Sequence, residues 1–215
     1  MKIGIIGGTG KEGRGLALRW SAAGHEITLA SRDAERGAAV AAELSAASGR
    51  AIAGGSFDDA LAAAEVLLVA VPYSGQGDTY RQLAGRIGDR IIIDITVPLA
   101  PPKVTQVSLP AGHSAAMEAQ AILGDEGKLV ATLHHVSSTH LGDLEHEMEG
   151  DVLVCGNDRS AVETVIGLIG DLGARGIDAG NLVNAVALES MTPVLLYINR
   201  RYKAAGAGMK LTGLP

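Results

Sequence analysis

The chain has one cysteine, Cys155, one tryptophan, one phenylalanine, and aromatic residues at only 3% of its 215 positions. A lone thiol forms no internal disulfide, so the fold must rest on aliphatic packing, and such a thiol suits a reducing, cytoplasmic compartment. Basic charge is also scarce. The net charge of -6 provides no general attraction for a phosphodiester backbone, which argues against a nucleic-acid partner. No uninterrupted apolar run approaches the roughly 20 residues that span a bilayer. The apolar stretch after Lys2 is broken by Gly7, Gly8, Gly10 and Lys11-Glu12 before a signal-peptide core can form. Neither export nor a membrane partner is expected, and there is no internal repeat.

What is present is aliphatic. Hydrophobic residues make up 47% of the chain and charged residues 20%, with a mean hydropathy of +0.22, enough to bury the core of one good-sized domain. Short β-branched runs alternate with longer Ala-rich, charge-bearing stretches, the pattern of a mostly parallel sheet between helices. Strands are predicted at 2–6, 26–30, 51–53, 66–71, 90–95 and 129–133. Helices are predicted at 12–23, 34–48, 58–64, 77–87 and 115–123, with Ser56 as the cap of the third. Pro98, Pro101, Pro102 and Pro110 crowd one segment after the fifth strand and make it a loop at the sheet's C-terminal edge. After a polar stretch at 140–150 the pattern restarts with a strand at 152–155, a helix at 160–172, a strand at 175–178 and a helix at 182–202. The predicted fold is therefore α/β: a Rossmann-type doubly wound sheet in residues 1–150, with 151–215 either a smaller C-terminal lobe or an extension of that sheet.

Gly8-Thr9-Gly10-Lys11-Glu12-Gly13 matches G-x-G-x-x-G directly after the first strand and at the opening of a helix, where the string marks a dinucleotide-binding unit. Gly8 is expected to permit the tight turn, Gly10 to let backbone approach a pyrophosphate, and Gly13 to allow close helix–strand packing. The second strand ends in Ser31-Arg32, with Arg36 one helical turn on. A hydroxyl and two guanidinium groups suit a ribose 2′-phosphate, so NADP is expected rather than NAD. Asp33 lies past the strand end and reads as the cap of the next helix.

Val71-Pro72-Tyr73 follows the fourth strand at the ligand edge and brings an aromatic ring toward the nicotinamide end. His134 ends a strand at the same edge, placed for a polar contact to cofactor or substrate. His134, His135, His140 and His146 fit no zinc-ligand spacing, so no metal is expected. Cys155 reads as a buried strand residue, and no catalytic side chain is assigned, since a redox cofactor carries its own reactivity.

Nearly the whole chain resembles the NADPH:coenzyme F420 oxidoreductases. The resemblance is carried by GGTGKEGRGLALR from Gly7, SRDAER from Ser31, VPY from Val71, LHHVSS from Leu133, DVLVCGND from Asp151, DAGNL from Asp178, ESMTPVLL from Glu189 and GAGMKL from Gly206. It implies reversible hydride transfer between NADP(H) and the deazaflavin coenzyme F420, with the two rings stacked in a cleft. By position, Thr9, Gly10, Lys11 and Glu12 would line the pyrophosphate, and Ser31, Arg32 and Arg36 the 2′-phosphate. Tyr73, Gly77, Val97 and Ser138 would lie along the rest of NADP, while Thr192 and Ala207 would face the deazaflavin. The chain departs from the family pattern at Tyr73, where a tryptophan can occur, at Gly77 and Ala207, where larger apolar residues can, and at Ser137-Ser138, in place of Pro-Ala. On residues alone, two other readings share the glycine loop: an NADP-dependent reductase of a small carbonyl, imine or ferric complex, and a silent NADP(H)-sensing module. Val194, Leu195, Leu196 and Ile198 mark an apolar helix suited to a homodimer surface.

Overall fold

The computed structural model describes residues 1–214. Its strands are β1 (Lys2–Ile6), β2 (Glu26–Ala30), β3 (Ile52–Gly55), β4 (Val66–Val69), β5 (Ile91–Asp94), β6 (Lys128–Thr132), β7 (Asp151–Gly156) and β8 (Arg175–Asp178). They form one sheet in the order β3-β2-β1-β4-β5-β6-β7-β8. Six strands run parallel; β7 is antiparallel to β6, and β8 is parallel to β7. Residues 151–178 thus extend the main sheet at one edge.

The helices are α1 (Lys11–Ala22), α2 (Ala34–Ser48), α3 (Phe57–Ala63), α4 (Tyr73–Leu83), α5 (Ala115–Leu123), α6 (Ser138–Leu141), α7 (Arg159–Gly170) and α8 (Ala185–Tyr202), the last preceded by a 3-10 turn at Leu182–Asn184. Local chemistry sets several starts. Ser56 and Asp59 form a reciprocal capping box on α3, and the Asp33 carboxylate accepts from the backbone N–H groups of Glu35 and Arg36 at the head of α2. The left-handed Gly49 (φ 68°) ends α2.

Every residue of β4 is buried, and its side chains divide by parity: Val66 and Leu68 enter the core on one side of the sheet, Leu67 and Val69 that on the other. Trp20 of α1 is fully buried in the first core and donates its indole N–H to the Leu168 carbonyl at 2.9 Å. Leu182–Tyr202 is long and apolar enough, by length and composition, to cross a bilayer. Here it lies on the fold instead, with buried Glu189 bonded to the backbone of α5.

Several predicted ends shift by one or two residues, and two differences are larger. Helix α4 begins at Tyr73, not at residue 77, because extended Pro72 (φ -58°, ψ 146°) serves as its N-cap and buried Gln76 is held by the Asp94 carboxylate at 2.9 Å and the Ala115 carbonyl at 3.1 Å. The polar stretch before β7 contains α6, which packs so closely on α1 that a Cβ on Gly15 would lie 2.6 Å from the Leu141 Cβ.

Candidate functional site

The order of the sheet reverses between β1 and β4, and a crevice opens at the C-terminal ends of these strands, where open α/β sheets take their ligands. The glycine loop lies at this point. The positive φ of its turn belongs to Gly7 (φ 78°), which corrects the expectation that Gly8 permits the turn. Gly8 is needed for packing: a Cβ there would come within 2.5 Å of Leu29. Gly13 takes its expected part, since a Cβ on it would lie 2.7 Å from the Cα of Gly8. Gly10 is different, with open space around it and only the Gly7 carbonyl within contact, at 3.5 Å. It is the N-cap of α1 and bears no capping side chain, so the first amides of α1 face the crevice without an internal partner. Thr9 is half-buried beside it, and Lys11 and Glu12 are exposed.

At the end of β2, Ser31 is half-buried while Arg32 and Arg36 are exposed. The competing acid, Asp33, is occupied as a helix cap and receives no ribose role from its geometry.

A cleft of about 490 Å³ runs from Gly10 and Glu12 across the strand ends. It brings together Pro72, Tyr73, Val97, His134, Ser138, Thr192 and Ala207 from five separate segments. Gly77 does not line it; one turn further into α4, this residue faces the Arg81 guanidinium. The 2′-phosphate candidates Ser31, Arg32 and Arg36 lie outside this cleft, at the β2 end of the crevice.

The cleft walls are polar at chosen points. His134 follows Leu133, whose φ is 64°, and is buried with both ring nitrogens lacking a hydrogen-bond partner. Burial, with the neighbouring His135, pushes its pKa down to about 3, so it presents a neutral imidazole with one donor and one acceptor. Its carbonyl accepts from the Thr192 hydroxyl, which joins the β6 end to α8. The phenol of Tyr73 donates to the Glu118 carboxylate at 2.7 Å. Burial, then this bond, pushes its pKa up to about 12, so the hydroxyl stays protonated.

Beneath Tyr73 lies a polar network with no obvious mark in the sequence. Asp94 at the end of β5 is fully buried and accepts from Tyr80 (2.6 Å), Gln76 (2.9 Å) and the Thr96 backbone N–H (2.7 Å). Burial raises its pKa above the usual carboxylate range. Glu189 accepts from the backbone N–H groups of Ala115 (2.7 Å) and Ala116 (3.0 Å) at the head of α5, and burial pushes it up to about 8. The pairing of residues 74 positions apart left no local pattern to read.

A second cleft, about 620 Å³, adjoins the first and shares His135, Val136, Ser137 and Ala207 with it. His140 and His146 stack on its wall with ring centroids 3.9 Å apart. Among the described residues no three His, Cys, Asp or Glu side chains are grouped to hold a metal ion. Cys155 is buried, which pushes its thiol up to about 12 and leaves it a packing residue.

A glycine-cradled helix end at the switch point of a doubly wound sheet, opening into a cleft roomy enough for stacked rings, defines a Rossmann-type, nicotinamide-dependent oxidoreductase. Residues 2–98 match the family described as NADP oxidoreductase, coenzyme F420-dependent. The F420-dependent NADP reductase of Methanocaldococcus jannaschii is 37% identical over all of this chain and 99% of its own; that of Methanothermobacter thermautotrophicus is 35% identical over all of this chain and 96% of its own. A crystal structure of a candidate F420-dependent NADP reductase from Arthrobacter sp. FB24 superposes with a TM-score of 0.83 at 25% identity, covering 99% of this chain and all of the other. The chain belongs to the family of F420-dependent NADP oxidoreductases.

Proposed function

We propose that the protein transfers hydride reversibly between NADP(H) and coenzyme F420 within the cleft that begins at Gly10. One observation carries the placement: the open cradle at Gly10 and the unpartnered imidazole of His134 belong to the same cleft. In this reading Thr9, Gly10, Lys11 and Glu12 hold the pyrophosphate, and Ser31, Arg32 and Arg36 the 2′-phosphate. Pro72, Tyr73, Val97, His134 and Ser138 line the nicotinamide end. Gly8 and Gly13 support the loop from behind. Thr192 and Ala207, from the segment after residue 150, face the deazaflavin, and the adjoining cleft leaves room for its side chain.

The nicotinamide and deazaflavin rings carry the redox chemistry themselves; the chain binds them, orients them and keeps water out. A neutral His134 suits one donor and one acceptor on a carboxamide or a pyrimidine-dione edge. No side chain need form a covalent bond. We further propose a cytoplasmic homodimer, without membrane or nucleic-acid partners; the exposed Val183, Val194, Tyr197 and Tyr202 on and before α8 supply an apolar surface for association.

The test mixes purified protein with NADPH and oxidised F420 and follows the visible band of the deazaflavin. Bleaching is expected. Tight NADPH binding with no bleaching would overturn the proposal, and turnover of a small imine or carbonyl in its place would redirect it.

A further inference from the structure

Tyr73 is the large ring in the cleft wall, half-buried at the start of a helix between exposed Pro72 and Ser74. What fixes it is Glu118, 45 residues away, in the first turn of α5. One oxygen of Glu118 accepts the phenol proton at 2.7 Å, and the other accepts the backbone N–H of Gly112 at 3.1 Å. Gly112 is where the proline-rich loop after β5 ends, and a Cβ there would lie 2.5 Å from the Glu118 Cγ, so the loop presses directly on the acid's stem. That loop carries Val97 and Leu99 into the same cleft.

We infer that Glu118 is a positioning residue for hydride transfer: one carboxylate fixes both the ring of Tyr73 and the end of the loop that supplies Val97 and Leu99, and so sets the width of the nicotinamide end. This rests on the proposed placement of nicotinamide beside Tyr73. Glu118 itself does not line the cleft. Its effect falls on orientation, and orientation weighs on turnover far more than on affinity, because most dinucleotide affinity comes from the phosphates.

The experiment compares Glu118→Ala, Glu118→Gln, Tyr73→Phe and the Tyr73→Phe/Glu118→Ala double variant, reading kcat for F420 reduction and Kd for NADPH by direct titration. Glu118→Ala should lower kcat by about 10- to 100-fold, in the range set by misplacement of reacting groups, with Kd changed by less than about threefold. Glu118→Gln keeps an acceptor for the phenol and should recover most of kcat. Tyr73→Phe keeps the ring but loses the bond, and the double variant should be no worse than Glu118→Ala alone, since both remove one interaction. Normal kcat in soluble, folded Glu118→Ala would overturn the inference, as would additive losses in the double variant. A Tyr73→Ala variant separates the two claims: if it is crippled while Glu118→Ala is normal, only the inference fails; if it turns over normally, the placement of nicotinamide fails as well.

Discussion

A Cβ on Gly10 would meet only the Gly7 carbonyl at 3.5 Å, whereas one on Gly13 would collide with the Gly8 backbone at 2.7 Å. The two glycines are therefore separable by experiment. Gly10→Ala should fold with an unchanged melting temperature and bind NADPH at least about tenfold more weakly, because the added methyl stands where the pyrophosphate is proposed to approach. Gly13→Ala should lose stability as well, visible in thermal unfolding without ligand. At the other end of the dinucleotide, Arg32→Glu should weaken NADPH by about 10- to 100-fold, the worth of one or two bonds between charged groups, and leave NADH nearly unaffected; titration with both cofactors checks it. Equal losses would mean that the end of β2 does not read the 2′-phosphate. The roles proposed for these residues can be read from the sequence because the chemistry they rest on is local. The glycine string, the strand before it and the Ser-Arg pair at the end of β2 lie within 36 positions. Those of Glu118 and Glu189 cannot, since nothing near either residue announces a partner 45 or 74 positions away.

At the scale of elements, α1 does two jobs. Its first turn faces the crevice, and two turns later Arg19, only 8% exposed, points its guanidinium at the end of α6, the segment that follows it and the turn after α7. It donates to the carbonyls of His140 (2.8 Å), Leu141 (3.2 Å), Asp143, His146 (2.8 Å) and Leu172 (3.2 Å). Five backbone acceptors with no carboxylate in the set make this a scaffold for a segment that has little regular structure of its own. Arg19→Met leaves those carbonyls without their donor and should cost about 2–4 kcal/mol of stability, read from urea denaturation. Hydrogen exchange should rise between residues 138 and 148 before it rises in the sheet. The same packing explains why α6 reads as a polar loop: Ser138–Leu141 is too short to show periodicity, and it is helical because Arg19 and Gly15 of α1 receive it. By contrast, β1, β2, β8 and helices α2 and α5 fall on their predicted bounds, where caps or β-branched runs mark the ends.

For the whole molecule, two opposed pairs of buried groups shape the dependence of stability on pH. His134 has its pKa pushed down to about 3, against roughly 6.5 in an unfolded chain, and His135 shifts in the same direction through burial. The unfolded chain therefore takes up protons that the folded one refuses, and stability present above about pH 6.5 is lost as pH falls below it. Glu189 is opposite. Its pKa is raised to about 8 by burial, with Asp94 and Glu118 nearby, so the folded state keeps a proton that the unfolded chain has released. That contribution is full below about 4.5 and is lost as pH rises through 8; buried Asp94 adds to it. Between about pH 4.5 and 6.5 the two contributions oppose each other and the melting temperature should change little, whereas from about 6.5 to 8 it should decline. Glu189→Gln should flatten the alkaline side and uncover a loss of stability as pH falls below about 6.5, whatever its effect on the absolute value, and scanning fluorimetry with an external dye from pH 5 to 9 reads both slopes.

The burial of Trp20 has a consequence for how the protein can be watched. It is the only indole in the chain, lies dry in the core and sits on α1, the helix whose head is proposed to meet the dinucleotide. A dry indole emits toward the blue, over the band in which reduced nicotinamide absorbs and oxidised nicotinamide does not. Resonance energy transfer from this one fixed donor should therefore report the redox state of the bound dinucleotide turn by turn, with no label attached.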